Sequence, residues 1–183
     1  ILPAGAWGTA VAIHLNRLGH SVTLVPHTTD EALEMSSQRE NRAFFPGHRL
    51  DPSLQIGMEY GPALMETDVL ILACPAKYLK SVCNALKPSL RPGNARRLRM
   101  VVVLCKGLDP TSNQLPVASV SESLPEFPCG LLSGPTFASQ VAEGQPTALV
   151  LATEWQDSFV NEFQEAISGA NLRVYTSTDV KGV

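Results

Sequence analysis

The sequence predicts a doubly wound α/β domain, a mostly parallel sheet with helices on both faces. Three observations carry this. Asp68-Val-Leu-Ile-Leu-Ala-Cys74 and Met100-Val-Val-Val-Leu-Cys105 are unbroken apolar runs, the pattern of parallel strands buried on both faces. Helical patterns alternate with such runs along the chain. The chain also opens on a small-residue turn, Pro3-Ala-Gly-Ala-Trp-Gly8, set between a short apolar lead and a helical pattern.

In order, Ile1-Leu2 is the apolar lead of a first strand. Val11, Ala12, Leu15 and Leu18 recur at helical spacing and stop at Gly19-His20. Ser21–Val25 reads as a strand. Strand, glycine turn, helix and strand make the first unit of a Rossmann-type dinucleotide-binding fold. Its glycines let a pyrophosphate approach the free N–H groups at the helix start. The full pattern is G-x-G-x-x-G. Here Gly5 and Gly8 hold the second and third positions and Pro3 the first. Proline fixes φ and lacks an N–H, so this turn must close differently. An ordinary strand-to-helix turn with two incidental glycines is the alternative.

Glu31 to Arg39 is helical. No carboxylate ends the second strand, where NAD-preferring domains bind the ribose hydroxyls. His27 stands there with Thr28 and Thr29, and Asp30 comes late. This favours NADP over strict NAD use, and an exposed loop histidine is the plain alternative. Asn41–Leu50 reads as an irregular apolar-basic loop with a Pro46-Gly47 turn. Pro62–Glu66 is a short helix, residues 68–74 a strand, and Tyr78–Leu90 a helix. Arg91–Arg97 is a basic, solvated loop. The strand Met100–Cys105 runs straight into Lys106-Gly107, where α/β folds place ligands. A lysine snorkelling at a strand end is the alternative. Leu115–Leu124 is helical. A short strand from Cys129 meets Ser133-Gly-Pro-Thr136, a second small-residue turn before a helix at Phe137–Ala142, of the kind that binds anions. Thr147–Ala152 is a strand, Glu154–Ala166 an amphipathic helix and Asn171–Tyr175 a last strand.

Composition bounds the function. The chain has 183 residues, 44% hydrophobic and 17% charged, with a net charge of −3. No basic footprint implies nucleic acid or an anionic membrane surface as partner. No apolar run has membrane-spanning length. Cys74, Cys83, Cys105 and Cys129 form no C-x-x-C pair, and no metal site is expected. They read as buried reduced thiols, which suits a cytoplasmic location. The chain lacks an initial Met and stops at Val183, so a piece of a longer protein is expected.

Together the motifs resemble the N-terminal domain of bacterial-type NAD(P)-dependent glycerol-3-phosphate dehydrogenases. The matching stretches are Gly5–Ala10, Leu18–His20, Asn41 with Phe45–Gly47, Lys106-Gly107, Leu132–Ala138, Gly144–Ala148, Arg173–Tyr175 and Asp179–Val183. They run in the family's order from end to end. The resemblance implies an NAD(P)-binding domain over residues 1–183, with a helical domain expected after it that bears the proton-transferring lysine. No catalytic acid or base is therefore placed. It implies that Gly5, Ala6, Trp7 and Gly8 form the pyrophosphate turn, and that His27 meets the adenosine 2′-phosphate. Lys106 would touch cofactor and substrate, Gly134 and Thr136 the substrate, and Ala138 the cofactor. The implied activity interconverts dihydroxyacetone phosphate and glycerol 3-phosphate for phospholipid synthesis. The cofactor would be NADP or NAD, with NADPH favoured; the assembly is left open, a homodimer among the options. The isolated chain is expected to be inactive. Two alternatives stay open: a related 2-hydroxy- or 2-keto-acid reductase, and a non-catalytic nucleotide-binding domain.

Overall fold

The computed structural model describes residues 1–91 and 94–183. The expected basic loop over 91–97 therefore lies partly, at Pro92 and Gly93, outside the described residues.

Helix α1 (Ala6–Arg17) buries Val11, Ala12 and Leu15. It stops where Gly19 takes φ +86°, a conformation that favours glycine. Strand β1 (Thr23–Leu24) follows. Helix α2 (Thr29–Gln38) starts where Thr28 Oγ1 accepts the Glu31 N–H at 3.2 Å. Residues 41–50 are not an irregular loop: β2 (Glu40–Asn41) and β3 (Phe45–Arg49) pair antiparallel around a bulge. Gly47 at φ +84° and its N–H bond to Glu40 Oε1, 2.8 Å, hold that hairpin.

Strand β4 (Gln55–Ile56) and helix α3 (Tyr60–Met65) lead to β5 (Val69–Leu72). A single 3-10 turn, Ala76–Tyr78, precedes α4 (Leu79–Leu86). Then come β6 (Met100–Val103), α5 (Pro116–Ser123), β7 (Cys129–Ser133) and α6 (Ala138–Glu143). Strand β8 (Thr147–Ala152), α7 (Ser158–Ile167) and β9 (Leu172–Ser177) close the order. Helix α7 starts later than its amphipathic pattern, because Thr153 Oγ1 takes the Trp155 N–H and Asp157 Oδ1 caps Phe159 N–H at 2.9 Å.

The main sheet has the order β5-β6-β7-β8-β9. All neighbours are parallel except β7 and β8. The first strand is shorter than expected, a single bridge from Leu2 to Leu72. It nevertheless joins two sheets. Leu2 N–H donates to Ile71 O at 2.9 Å, and Val25 N–H donates to Ile1 O at 2.9 Å. Hydrogen bonding thus runs from the parallel pair β4-β1 through Ile1-Leu2 into β5.

Alternation along the strands sorts the core onto two faces. Leu70, Leu72, Val101, Val103 and Leu131 pack with Leu79, Cys83 and Leu86 of α4 and Val120 of α5. Ile71, Met100, Val102 and Leu132 pack with α1, with Val141 of α6, and with Phe159 and Phe163 of α7. Both faces are covered, which is why the strands read as unbroken apolar runs. The fold is the doubly wound α/β class that the sequence predicts.

Candidate functional site

Parallel strands deliver their following loops to one edge of the sheet. Pro3–Gly8, Pro26-His27, Ala73–Ala76, Lys106-Gly107 and Gly134–Ala138 all leave the carboxyl ends of their strands there, where open α/β sheets bind ligands. A hollow of about 950 Å³, lined in part by Thr23, Asp68, Arg97 and Glu162, lies toward the amino ends of β1 and β5. None of the sequence-predicted site residues lines it.

At the first loop Pro3 is buried, and its peptide with Leu2 is cis. Gly5 N–H turns back to Pro3 O at 2.9 Å. The tight turn is closed by the proline's own carbonyl, which needs no glycine at that position. Gly5 caps α1 in an extended conformation, without a side-chain bond and with no acidic residue in the first turn. Among the described residues, the N–H groups of Ala6, Trp7 and Gly8 have no protein acceptor. The helix start therefore presents free donors and positive dipole to an anion.

The two glycines divide the work. A Cβ at Gly5 would meet only Ala73 O, at 4.0 Å, so that side is open to a ligand. A Cβ at Gly8 would stand 2.8 Å from Pro3 O and 2.9 Å from the Ala73 Cβ. Gly8 is there to let the helix pack on the strand. Trp7 packs against the core, and its Nε1 is buried without a partner.

At the middle of the edge, Lys106 is exposed and its Nζ donates to Gly134 O at 2.9 Å. Gly107, at φ +81°, lets the chain turn away behind it. Lys106 and the Ser133–Thr136 turn, far apart in sequence, thus meet. A Cβ at Gly134 would come 2.6 Å from Ala148 O, so this glycine also permits the close crossing of β8. Thr136 Oγ1 lies 3.4 Å from Gln140 Oε1, and Ala138 opens α6. The anion-binding expectation at this turn is weaker than at α1. Thr136 N–H is used by Gly134 O, Phe137 N–H by Gln140 Oε1, and α6 has only 6 residues.

His27 is exposed at the end of β1, with its ring centroid 5.6 Å from that of Phe44. It faces the β2–β3 turn, and no hydrogen bond ties it to Lys106. Two features here are hard to see in the sequence. Glu31 Oε2 accepts the His27 N–H at 3.0 Å, so a carboxylate does reach this strand end, from one helical turn onward. Asn41 is buried and bonds Ala4 and Thr9. A signal for Glu31 existed in its i+4 spacing from His27. Asn41 was marked only by its match, with Phe45–Gly47, to the family's pattern, which carries no sign of its burial.

All four cysteines are unbridged and buried. Burial pushes the Cys74 thiol up to about 11, and those of Cys83, Cys105 and Cys129 up to about 12. Thiols held protonated are inert nucleophiles.

Residues 1–159 match the family model for the NAD-dependent glycerol-3-phosphate dehydrogenase N-terminus. The chain belongs to this family. It is 35% identical over its whole length to a glycerol-3-phosphate dehydrogenase [NAD(P)+] of Chelativorans sp., of which it covers 54%. It is 37% identical to the one of Thiobacillus denitrificans, again covering 54%. The crystal structure of the glycerol-3-phosphate dehydrogenase of Coxiella burnetii superimposes with a TM-score of 0.85 at 28% identity, over 96% of this chain and 52% of that one. The chain thus spans about half the length of the relatives it matches. A ketopantoate reductase of Ralstonia eutropha, at TM-score 0.69 and 20% identity, shares the fold. In a family named for NAD dependence, the uncapped start of α1 suits a dinucleotide's pyrophosphate, and the open side of Gly5 leaves room for it. Among the described residues no helix is long and apolar enough to cross a membrane.

Proposed function

We propose that this chain is the nicotinamide-dinucleotide-binding half of an sn-glycerol-3-phosphate dehydrogenase. The reaction interconverts dihydroxyacetone phosphate and glycerol 3-phosphate. The observation that carries the reading is Lys106 Nζ held 2.9 Å from Gly134 O, on the same sheet edge as the uncapped helix start. The bound dinucleotide supplies the hydride. This chain's part is to bind and orient. The α1 N–H groups hold the pyrophosphate, with Gly5, Ala6, Trp7 and Gly8 forming the turn. Ala138 borders the cofactor. Lys106, held against Gly134 O, would supply a cationic donor to a ketone oxygen bound beside it, an electrostatic contribution. Gly134 and Thr136 shape the substrate side.

The residue that moves the proton belongs, in this reading, to a helical domain following residue 183. NADPH is the favoured cofactor, with His27 as donor to the 2′-phosphate, and the carboxylate of Glu31 works against it. A reducing cytoplasm and a homodimer complete the proposal. The four buried, unbridged thiols support the reducing compartment.

The test has two arms. Thermal shift of the 183-residue chain with NADPH and with NADH should show stabilisation by at least one, and no shift with either favours a non-catalytic scaffold. Dihydroxyacetone phosphate reduction should be absent from the chain alone and present in a protein that includes the second domain. Turnover by the 183 residues alone overturns the division of labour. A panel of 2-keto acids against the longer protein separates the related reductases.

A further inference from the structure

Asn41, on β2, is 2% exposed. A buried primary amide must satisfy two donors and an acceptor or lose stability. This one does so across three segments. Its Nδ2 donates to Ala4 O at 2.7 Å and to Thr9 Oγ1 at 2.8 Å. Its Oδ1 accepts the Phe44 N–H at 3.2 Å. The amide's orientation follows from its partners. A flipped group would set oxygen against the Ala4 carbonyl and NH2 against the Phe44 N–H.

The partners are what make the residue interesting. Ala4 is the last residue before Gly5. Thr9, fully buried, lies in the first turns of α1, and its N–H already bonds Gly5 O at 2.9 Å. Phe44 is exposed and borders the His27 ring. One side chain therefore connects the pyrophosphate turn, from below, with the wall where His27 stands. Around it the hairpin is anchored once more, through β3. Phe45 is buried in the core, and His48 of the same strand stacks on it with centroids 4.0 Å apart. With the β3 flank held there, the Asn41 bonds hold the β2 flank and the turn between.

We propose that Asn41 is a positioning residue of the dinucleotide site. Its amide holds the pyrophosphate turn and the Phe44–His27 wall in one relation, so that the phosphate and adenosine ends of a single ligand are bound together. Asn41 touches no ligand itself. The inference rests on the dinucleotide reading above and adds to it a residue outside the glycine turn.

The test compares a two-ended ligand with a one-ended one. NADPH spans both places, whereas adenosine 2′-monophosphate carries no pyrophosphate. Asn41→Ala should weaken NADPH about 10-fold or more. It should change adenosine 2′-monophosphate, read by NMR titration, by less than about 3-fold, because each place survives and only their register is lost. Thr9→Val keeps the shape and removes one Asn41 partner, so it should show the same selective loss, smaller in size. A uniform loss of both ligands, or NADPH binding as in the wild type, overturns the proposal. Should Asn41→Ala fail to fold by circular dichroism, Thr9→Val decides the matter by the same criterion. Wild-type chain that binds neither ligand refutes the dinucleotide reading instead, a distinct result.

Discussion

At Gly8 an added Cβ would meet backbone, the Pro3 carbonyl at 2.8 Å, with the Ala73 Cβ beside it at 2.9 Å. Neither can move without shifting the turn or the strand. Gly8→Ala should therefore destabilise the chain by about 1–3 kcal/mol, measured by urea unfolding. Gly5 has φ −73° and an open Cβ direction, so Gly5→Ala should leave stability within about 0.5 kcal/mol. Its methyl would crowd an approaching phosphate, and NADPH affinity should fall. An equal stability loss at the two positions would refute the division of roles. At the other end of the ligand, His27→Ala should weaken NADPH more than NADH. Glu31→Gln should do the reverse, strengthening NADPH relative to NADH by removing a charge that repels a 2′-phosphate. Equal effects on both cofactors would leave His27 as an exposed loop histidine and Glu31 as a surface residue of α2.

Between elements, α1 meets the end of α7 through two histidines. His14 Nε2 bonds Ile167 O at 2.9 Å and His20 Nε2 bonds Ala166 O at 2.7 Å. The carbonyls accept, so the Nε2 atoms carry the protons. Burial lowers the His14 pKa below its ordinary value, and the charges of Arg17 and His20 add to that, against the raising effect of the Ile167 bond. The unfolded chain thus takes up this proton first as pH falls. Stability should decline as pH falls through the ordinary histidine range, about 6.5, and His14→Gln should flatten that decline in urea titrations. A decline unchanged in His14→Gln would assign it to other groups. The β2–β3 hairpin teaches a related lesson. Its strands pair because Asn41 and Phe45 are held by groups outside the ladder and Gly47 by the side chain of Glu40 within it.

Over the whole molecule, one sheet separates two cores that share every central strand. Trp7 and Trp155 pack on one face. All four cysteines lie on the other. Because neighbouring residues of β5, β6 and β7 belong to opposite faces, neither core can open alone. Tryptophan fluorescence and thiol labelling should give coincident urea midpoints, the mark of a single cooperative transition. Labelling should be slow in the native protein, given thiols at about 11 or above. NADPH at 100 times its Kd should move both midpoints together, by about 2.7 kcal/mol of stability. Thiols exposed before the fluorescence change would show the faces to be independent.

Much of this protein was legible in its sequence because the relevant physics is local. Apolar runs such as Met100–Cys105 mark strands buried on both sides. Helical spacing marks α1, and glycine at 5 and 8 marks a backbone that something must approach. Lys106 and the Ser133–Thr136 turn could each be placed at a strand end. Tertiary structure alone decided what depends on distant segments meeting. It set Lys106 against Gly134, reversed β8 against β7, and brought Glu31 back to the β1 end. It also showed that Pro3 closes the turn with its carbonyl, and that Gly8 serves packing where Gly5 serves approach. Asn41 is the clearest case. An asparagine in an apolar-basic stretch carries no sign of its own burial, since its value lies in partners at Ala4, Thr9 and Phe44, which only the folded chain assembles.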